Sequence, residues 1–481
     1  MMTGEQYRES LRNLNLEIYY MGERIENVAD HPVTRPHVNA AAATYDAAFD
    51  PETEDLGATT SHLTGERINR FTHIHHSPAD LVSKVKLLRG IAQRTGTCFQ
   101  RCVGHDALNA LYSVTFDLDA KRGTTYHQRF LDYLRYIQRT DFMVTGAMTD
   151  PKGDRSLAPS KQADPDLYLH IVERRPNGIV VRGAKAHQTG AVNSHEIIAM
   201  PTVALGSEDA DYAVAFAIPS DTKGLTYIFG RQSNDGRRLE GGDLIDAGNA
   251  RFGIVGGEAL VIFDDVFVPN ERVFMAGEHE FAGSLVERFA SYHRQNYGAC
   301  KTGVADVLIG ACAAVAEYQG TAKASHVRDK ITEMVHLAET LYCGSIACSF
   351  ESSQLAAGNY FVNPLLANTT KLNVTRFMYE IARLAQDIAG GYIATTPSEK
   401  DLRHPKVGPL VEKYMKGVAS VPAEHRIRIG RLIENMTGGT ALTESMHGAG
   451  SPQAQRVMIL RQANLEHKRR LALRLAGIPE S

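Results

Sequence analysis

Two cysteines four residues apart, Cys98 and Cys102, stand in the segment TCFQRC. If residues 91–104 form a helix, the two thiols lie one turn apart on one face. Their Cβ atoms would then be roughly 5–6 Å apart, which suits two thiolates on one metal centre. Because unrelated cysteines are also common at this spacing, the pair alone is a weak indication of a metal site.

A second stretch, SYHRQNYGACK at 291–301, places His293 seven residues before Cys300. Seven residues are about two helical turns, so both side chains can face the same side. With Cys98 and Cys102 they would form a set of three cysteines and one histidine. Such a set suits structural zinc, and it suits an iron–sulfur cluster equally. The residue types alone do not choose the metal, and His293 can equally be a satisfied histidine of a polar helix.

The remaining cysteines, Cys312, Cys343 and Cys348, lie in apolar helical runs. A small buried apolar residue is the ordinary role of a cysteine there. Six cysteines in a chain of 481 residues do not indicate a disulfide framework.

Composition and charge exclude several classes of protein. The chain is 43% hydrophobic, and 52 Lys and Arg residues nearly balance 55 Asp and Glu residues. A net charge of −3 argues against a nucleic acid or a membrane surface as the main partner. The first residues lack the apolar region of a signal peptide, and the longest apolar stretch, 307–316, is too short to span a bilayer. These features predict a cytoplasmic protein.

The hydrophobic period changes twice along the chain, which predicts an α+β, mainly helical protein of three domains. Apolar residues recur at three- and four-residue intervals in 79–93 and 125–139, which indicates helices. Short segments rich in β-branched residues then predict strands at 167–174, 178–184, 212–219 and 258–269. Long helical runs follow Pro269. The predicted domains are an N-terminal helical domain (1–145), a central β domain (146–275) and a C-terminal helical bundle (276–481).

Five segments resemble the family of 4-hydroxybutyryl-CoA dehydratases, within a wider group that includes 4-hydroxyphenylacetate hydroxylases and, more distantly, acyl-CoA dehydrogenases. The resemblance runs nearly end to end. The resemblance implies an acyl-CoA dehydrogenase-like fold, in which the central domain is β-barrel-like. The segments are CFQRC (98–102), AMTDPKGDRSLAPS (147–160), VRGAKAHQTGAVNSHE (181–196), ERFASYHRQNYGACK (287–301) and TESMHGAGSPQAQR (443–456).

The resemblance implies a cluster, a flavin and a reaction. In that family three cysteines and one histidine hold a [4Fe-4S] cluster, and these positions match Cys98, Cys102, His293 and Cys300. The family also binds FAD without a covalent bond and forms a homotetramer. Its members dehydrate 4-hydroxybutyryl-CoA to crotonyl-CoA and isomerise vinylacetyl-CoA to crotonyl-CoA. The C3 hydrogen of the substrate is not acidified by the thioester, which is why the family's proposed mechanism is a radical one, with the cluster as Lewis acid.

Four further side chains are candidates for acid–base work in such a site. Tyr297 shares a helix face with His293, whose family counterpart has a proposed role as a base, and its phenol could donate to the leaving hydroxyl or the flavin. Lys301 could stabilise an anionic oxygen. Glu258 and Glu444 match family glutamates, and a desolvated carboxylate there would have a raised pKa. Each could also be an ordinary packing, capping or surface residue.

For FAD, the resemblance points to three short segments. The first offers loop amides with Met148, Thr149, Lys152 and Arg155, and the second offers Gln188 and Thr189 for the isoalloxazine ring. The third, QDIAGG, resembles a turn that meets the FAD diphosphate from a neighbouring subunit, through Gln386, Gly390 and Gly391. No GxGxxG motif follows a strand, so Rossmann-type FAD binding is not supported.

Two alternatives stay open at this point. An FADH2-utilising aromatic monooxygenase of the 4-hydroxyphenylacetate hydroxylase type would not need Cys98, Cys102 and Cys300. A zinc-stabilised or non-catalytic helical protein would bind no flavin. The presence of the four donors favours the dehydratase.

Overall fold

The first third of the chain builds a helical layer that carries four short strands. The structure, a computed structural model, describes residues 1–479. In chain order the elements are α1 (Gly4–Arg12), β1 (Ile18–Tyr20), β2 (Glu23–Ile25), α2 (Arg35–Asp46), α3 (Glu54–Gly57), β3 (Ala58–Thr60), β4 (Arg67–Asn69), α4 (Pro78–Thr95), α5 (Cys102–Arg122) and α6 (Tyr126–Thr140). The helices predicted at 79–93 and 125–139 are confirmed as α4 and α6.

The middle of the chain forms two sheets. The elements are β5 (Val144–Ala147), β6 (His170–Arg175), β7 (Gly178–Thr189), β8 (Glu196–Ala199), β9 (Val214–Pro219), β10 (Leu225–Phe229), α7 (Asp235–Leu239), β11 (Glu258–Pro269) and β12 (Val273–Ala276). One sheet has the order β2-β1-β10-β11-β7-β6 and the other β12-β9-β8-β5. Their apolar faces share one core with α1 and α2. Where a barrel-like domain was expected, the described residues form two sheets.

The N-terminal segment contributes to the central sheet. Ile18 of β1 pairs with Tyr227 of β10 in parallel, and β2 pairs with β1. The expectation of a mostly helical segment over 1–145 misses both strands. Strands of three residues are too short to show the alternation that identifies a strand in sequence. The division into three domains stays a prediction.

The last part of the chain is a helical bundle around one long helix. Its elements are α8 (Ala282–Tyr318), α9 (Ser325–Phe350), β13 (Ser353–Gln354), β14 (Tyr360–Phe361), α10 (Pro364–Ala389), α11 (Glu399–Arg403), α12 (Gly408–Met415), α13 (Ala423–Met436), α14 (Gly439–His447), α15 (Pro452–Gln462) and α16 (Leu465–Leu475). By length and composition, 279–318 is the one stretch in the described chain that could cross a membrane. The same segment is largely buried, as the core helix of a globular protein is.

The segment with the first two cysteines is not one helix, so the expectation for 91–104 is wrong. Helix α4 ends at Thr95, and Gly96 follows in the left-handed region with φ of 63°. Gln100 also has a positive φ, 68°, and α5 begins at Cys102. Two left-handed residues cannot continue a right-handed helix. Cys98 therefore lies in a tight loop, and Cys102 is the first residue of the next helix.

Buried side chains hold this cysteine loop on both sides. Arg101 is 2% exposed, forms an ion pair with Asp141 and lies 3.7 Å from the ring centroid of Tyr45. Gln100 donates from Nε2 to the carbonyl oxygen of His37 at 3.0 Å. An arginine that stacks on an aromatic ring and pairs with a carboxylate is restricted in both position and plane. The two cysteines are thus fixed by the residues between them.

Helix α8 runs unbroken through Gly298, where α9 and α10 approach closely. A Cβ atom at Gly298 would lie 2.2 Å from Ser345 Oγ, 2.5 Å from Thr370 Cγ2 and 2.7 Å from the carbonyl oxygen of Leu341. The glycine therefore permits the contact that buries the face of α8 opposite the cysteine loop.

Substitution of Gly298 by alanine should lower the free energy of unfolding by about 1–3 kcal/mol, because the added methyl group overpacks this contact. The matched control is Gly310→Ala on the same helix, where a Cβ atom has nothing within 4 Å. That control should be neutral or stabilising by about 0.5–1 kcal/mol, because alanine is the better helix former. Urea unfolding of both variants provides the measurement. Equal stability of the two would contradict the packing role of Gly298.

Candidate active site

All four predicted metal ligands line one cavity. Cys98 comes from the loop before α5, Cys102 from the first turn of α5, and His293 and Cys300 from the middle of α8. The empty space between the side chains that line it, including space open to solvent, is about 440 Å³. Residues 202 positions apart in the chain, Cys98 and Cys300, thus meet across it, and the seven-residue spacing on α8 places His293 and Cys300 on one face as predicted.

The chemistry of these donors fits a polynuclear cluster better than a single ion. Within residues 1–479 no three His, Cys, Asp or Glu side chains are gathered closely enough to hold one metal ion. A single zinc ion needs its donors at about 2.0–2.3 Å from one point. In a cluster each protein ligand binds a different iron atom, so the donors must lie further apart around a cavity. The three thiols and one imidazole that line this cavity could supply four such donors.

Burial sets the protonation of the three thiols. It raises the pKa of Cys98 and Cys102 far above the ordinary range, and that of Cys300 to about 11. Proximity adds to this effect, because a thiolate at Cys98 disfavours a second one at Cys102. A bound cation reverses this preference, since metal ions stabilise thiolates directly.

Tyr297, Glu444 and Lys301 form one hydrogen-bonded group at the cavity wall. The Tyr297 hydroxyl donates to Glu444 Oε1 at 2.6 Å, and Lys301 forms a short ion pair with Glu444 Oε2. Burial would raise the pKa of Glu444, but the charge of Lys301 and the two hydrogen bonds hold it below its ordinary value. Burial and the charge of Glu444 together raise the pKa of Tyr297 far above its ordinary value. The group therefore holds a carboxylate, an ammonium and a neutral phenol.

Glu258 is the second carboxyl group beside the cavity, and its state differs from that of Glu444. It opens β11, and its Oε2 accepts a hydrogen bond from the Thr189 hydroxyl at 2.7 Å. Burial raises the pKa of Glu258 to about 8. Two carboxyl groups with pKa values shifted in opposite directions are typical of acid–base sites.

Two of the three segments predicted to bind FAD lie together next to this cavity. The loop after β5 carries Met148, Thr149, Lys152 and Arg155, and the end of β7 carries Gln188 and Thr189. Gln188 Nε2 donates to the Thr149 carbonyl oxygen at 3.0 Å. Thr189 also lines the cavity of the four donors. A ligand on this strand end would therefore adjoin the thiols.

The loop after β5 is anchored by a buried ion pair. Lys185 Nζ lies 2.8 Å from Asp150 Oδ1 and donates to the carbonyl oxygens of Met148 and Met200 at 3.0 and 2.7 Å. Because both charges are buried, each requires the other. The backbone of the loop is thereby fixed to strand β7.

The third predicted FAD segment lies away from the cavity lining. Gln386, Gly390 and Gly391 stand at the C-terminal end of α10, and Gln386 Nε2 lies 3.1 Å from Thr437 Oγ1. Gln386 and Gly391 are exposed. Within one chain, this turn does not line the cavity that Thr189 of β7 lines.

Several polar residues near the cavity were missed in the sequence. Asp106 hydrogen-bonds to His293, and its partners include Lys84 and Asn296. Lys371 on α10 donates to the carbonyl oxygen of Ser445 at 2.9 Å, and burial lowers its pKa to about 7. Asp106 could have been identified from the sequence, because it lies four residues, about one helical turn, after Cys102. Lys371 has no such signal, because only the packing of α10 against α14 brings it near Glu444.

Comparison with known proteins identifies the family over the whole chain. The family models described as "4-hydroxyphenylacetate 3-hydroxylase N terminal" and "C terminal" match residues 3–275 and 282–477. The 4-hydroxybutyryl-CoA dehydratase/vinylacetyl-CoA-Delta-isomerase of Clostridium aminobutyricum is 56% identical over 99% of this chain and 100% of its own.

Solved structures agree with this assignment. An oxygen-tolerant archaeal 4-hydroxybutyryl-CoA dehydratase from N. maritimus superposes with a TM-score of 0.97 at 54% identity, over 100% of this chain and 95% of that one. The oxygenase component of 4-hydroxyphenylacetate 3-monooxygenase complexed with FAD gives a TM-score of 0.86 at 25% identity, over 99% of both chains.

The raised pKa of Glu258 predicts a particular dependence of stability on pH. In the folded chain this carboxyl group keeps its proton up to about pH 8, whereas in the unfolded chain it loses it near its ordinary value of 4.5. The wild type should therefore lose stability as the pH rises through this window. Glu258→Gln should remove that loss, so that the variant gains stability relative to wild type between about pH 5 and about pH 8.

Urea midpoints of the protein without bound cofactors measure this difference. The exposed Glu271→Gln, just after the same strand, controls for the removal of a carboxylate from the surface. If wild type and Glu258→Gln keep the same difference in stability across the window, Glu258 is not a desolvated acid.

Proposed function

The chain belongs to the family of 4-hydroxybutyryl-CoA dehydratases within the 4-hydroxyphenylacetate 3-hydroxylase proteins, and we propose that it is a lyase with isomerase activity. Its substrate would be 4-hydroxybutyryl-CoA, dehydrated to crotonyl-CoA, and it would also isomerise vinylacetyl-CoA. The observation that carries the proposal is the meeting of three cysteines and one histidine in one cavity, beside the group of Tyr297, Glu444 and Lys301.

The proposed cofactors are a [4Fe-4S] cluster on Cys98, Cys102, His293 and Cys300, and FAD beside β7. When bound, these groups would supply a Lewis acid for the substrate hydroxyl and an acceptor of one electron, as a radical dehydration requires. For FAD, the similarity to a monooxygenase component complexed with FAD supports the loop after β5 with Gln188 and Thr189.

The side chains around the cavity have complementary proton states for this reaction. His293 has its Nε2 free of hydrogen bonds to residues 1–479, so this nitrogen is available as an iron ligand or as a base. Tyr297 holds a proton that it already donates to Glu444, and could redirect it to a leaving hydroxyl group. Lys301 supplies the positive charge that favours an anionic oxygen nearby. Glu258 holds a proton at neutral pH and can donate it.

An aromatic monooxygenase is the other activity found among the relatives, and the donor set argues against it. Flavin chemistry with an aromatic substrate needs no thiols, whereas three cysteines and one histidine line this cavity. The identity of 56% to the dehydratase, compared with 25% to the monooxygenase component, favours the same conclusion.

Two further properties are proposed from the family resemblance. We propose a homotetramer in the cytoplasm, and exposed apolar side chains on the last helices support a subunit contact. They are Val457, Leu460, Leu465, Leu471 and Leu475. The succession of helical, β and helical segments supports an acyl-CoA dehydrogenase-like layout.

Cys300→Ala and His293→Ala should each lose most of the bound iron and the dehydratase activity, because each removes one of four cluster ligands. Cys312→Ala is the matched control, since Cys312 is a buried cysteine of the same helix that lies in the apolar core of the bundle. Iron content and crotonyl-CoA formation from 4-hydroxybutyryl-CoA are measured under anaerobic conditions. Full activity of either ligand variant would refute the proposed function.

A further inference from the structure

One buried carboxylate connects the two helices that carry the cysteine and histidine donors. Asp106 lies one turn after Cys102 on α5 and is 0% exposed. Its Oδ2 lies 2.8 Å from His293 Nδ1 on α8. The helix that presents a thiol to the cavity therefore also presents the partner of the imidazole.

The other contacts of Asp106 show that it is an acceptor. Lys84 Nζ donates to Oδ1 at 2.8 Å, and Asn296 Nδ2 donates to Oδ2 at 2.6 Å. A buried aspartate that is paired with an ammonium group is ionised, and an ionised carboxylate can only accept. The hydrogen in the contact with His293 must therefore sit on Nδ1.

In the neutral imidazole, a hydrogen on Nδ1 leaves Nε2 as the nitrogen with the lone pair. Phe289 stacks on the same ring, with centroids 5.6 Å apart and planes at 16°, and Tyr297 meets its other side edge-on at 5.5 Å. The ring is thereby held in its plane by two aromatic side chains and in its rotation by Asp106. His293 also lines the cavity that the three thiols share.

We propose that Asp106 is a positioning residue that sets the tautomer and orientation of His293. The inference rests on the proposed function, in which His293 is an iron ligand that can also accept a proton. Metal-bound histidines commonly donate their second ring hydrogen to a carboxylate, which fixes the ring and makes the ligating nitrogen more basic. Asp106 has the position, the burial and the charge for this role.

A pair of variants separates positioning from simple charge pairing. Lys84→Met removes the lysine and leaves Asp106 beside His293 and Asn296. Lys84→Met with Asp106→Leu removes the same lysine and also the acceptor, while leucine keeps the branched shape of aspartate. Because the double variant leaves no unpaired buried charge, it should fold at least as well as the single one. Retained FAD in both variants would verify that they are folded.

The first measurement is the rate at which a chelator removes iron from the reduced protein. The double variant should lose iron about 10–100-fold faster than Lys84→Met, since loss of such a partner typically costs that much metal affinity. The nitrogen hyperfine coupling of the cluster, from pulsed electron paramagnetic resonance, should change in the double variant alone. Equal rates and equal couplings would overturn the proposal and leave Asp106 only as the partner of Lys84.

A second measurement needs no metal. In crystals of iron-free Lys84→Met, the His293 ring should keep Nδ1 on Asp106, and in the double variant it should turn or occupy two orientations. The same ordered ring in both variants would overturn the inference whether or not the wild type contains iron. Wild-type protein without iron or sulfide would instead refute the proposed function, so the two failures are distinguishable.

Discussion

The burial of ionisable groups around one cavity is the constraint on which the rest of the site depends. Each charged form there must find a partner, because an isolated charge in a water-excluded site is very costly. Glu444 has Lys301, and Asp106 has Lys84. The three thiols have no cation among the described side chains that could hold them all as thiolates, and burial keeps them protonated. The proposed metal centre would supply the positive charge that stabilises them as thiolates.

The fold meets this constraint by bringing together groups from distant parts of the chain. Helix α8 provides His293, Tyr297, Cys300 and Lys301 along one face. The loop between α4 and α5 provides Cys98, and Arg101 holds that loop against Asp141 and Tyr45. Strand β7 ends beside the same cavity at Thr189. A site made from one helix, one loop and one strand end is as rigid as the packing that holds these elements. The close contact at Gly298 fixes α8 against α9 and α10.

The sequence predicted those parts of the site that are local in the chain. The bounds of β11 match the predicted strand at 258–269, and the spacing of His293 and Cys300 was interpreted correctly because both lie on one long helix. The helix through Cys98 was wrong, because the left-handed conformation of Gln100 has no signal in its residue type. Lys371 and the pairing of β1 with β10 depend on contacts between distant segments. Periodicity contains no information about such contacts.

The most direct test of the account is the composition and absorption spectrum of the wild-type protein purified without oxygen. We expect about four irons, four sulfides and one FAD per chain, with the broad visible absorption of an iron–sulfur protein beneath that of the flavin. Flavin without iron would contradict the cluster and favour the monooxygenase branch of the family. Zinc without flavin would contradict both cofactors and leave the four donors as a structural site.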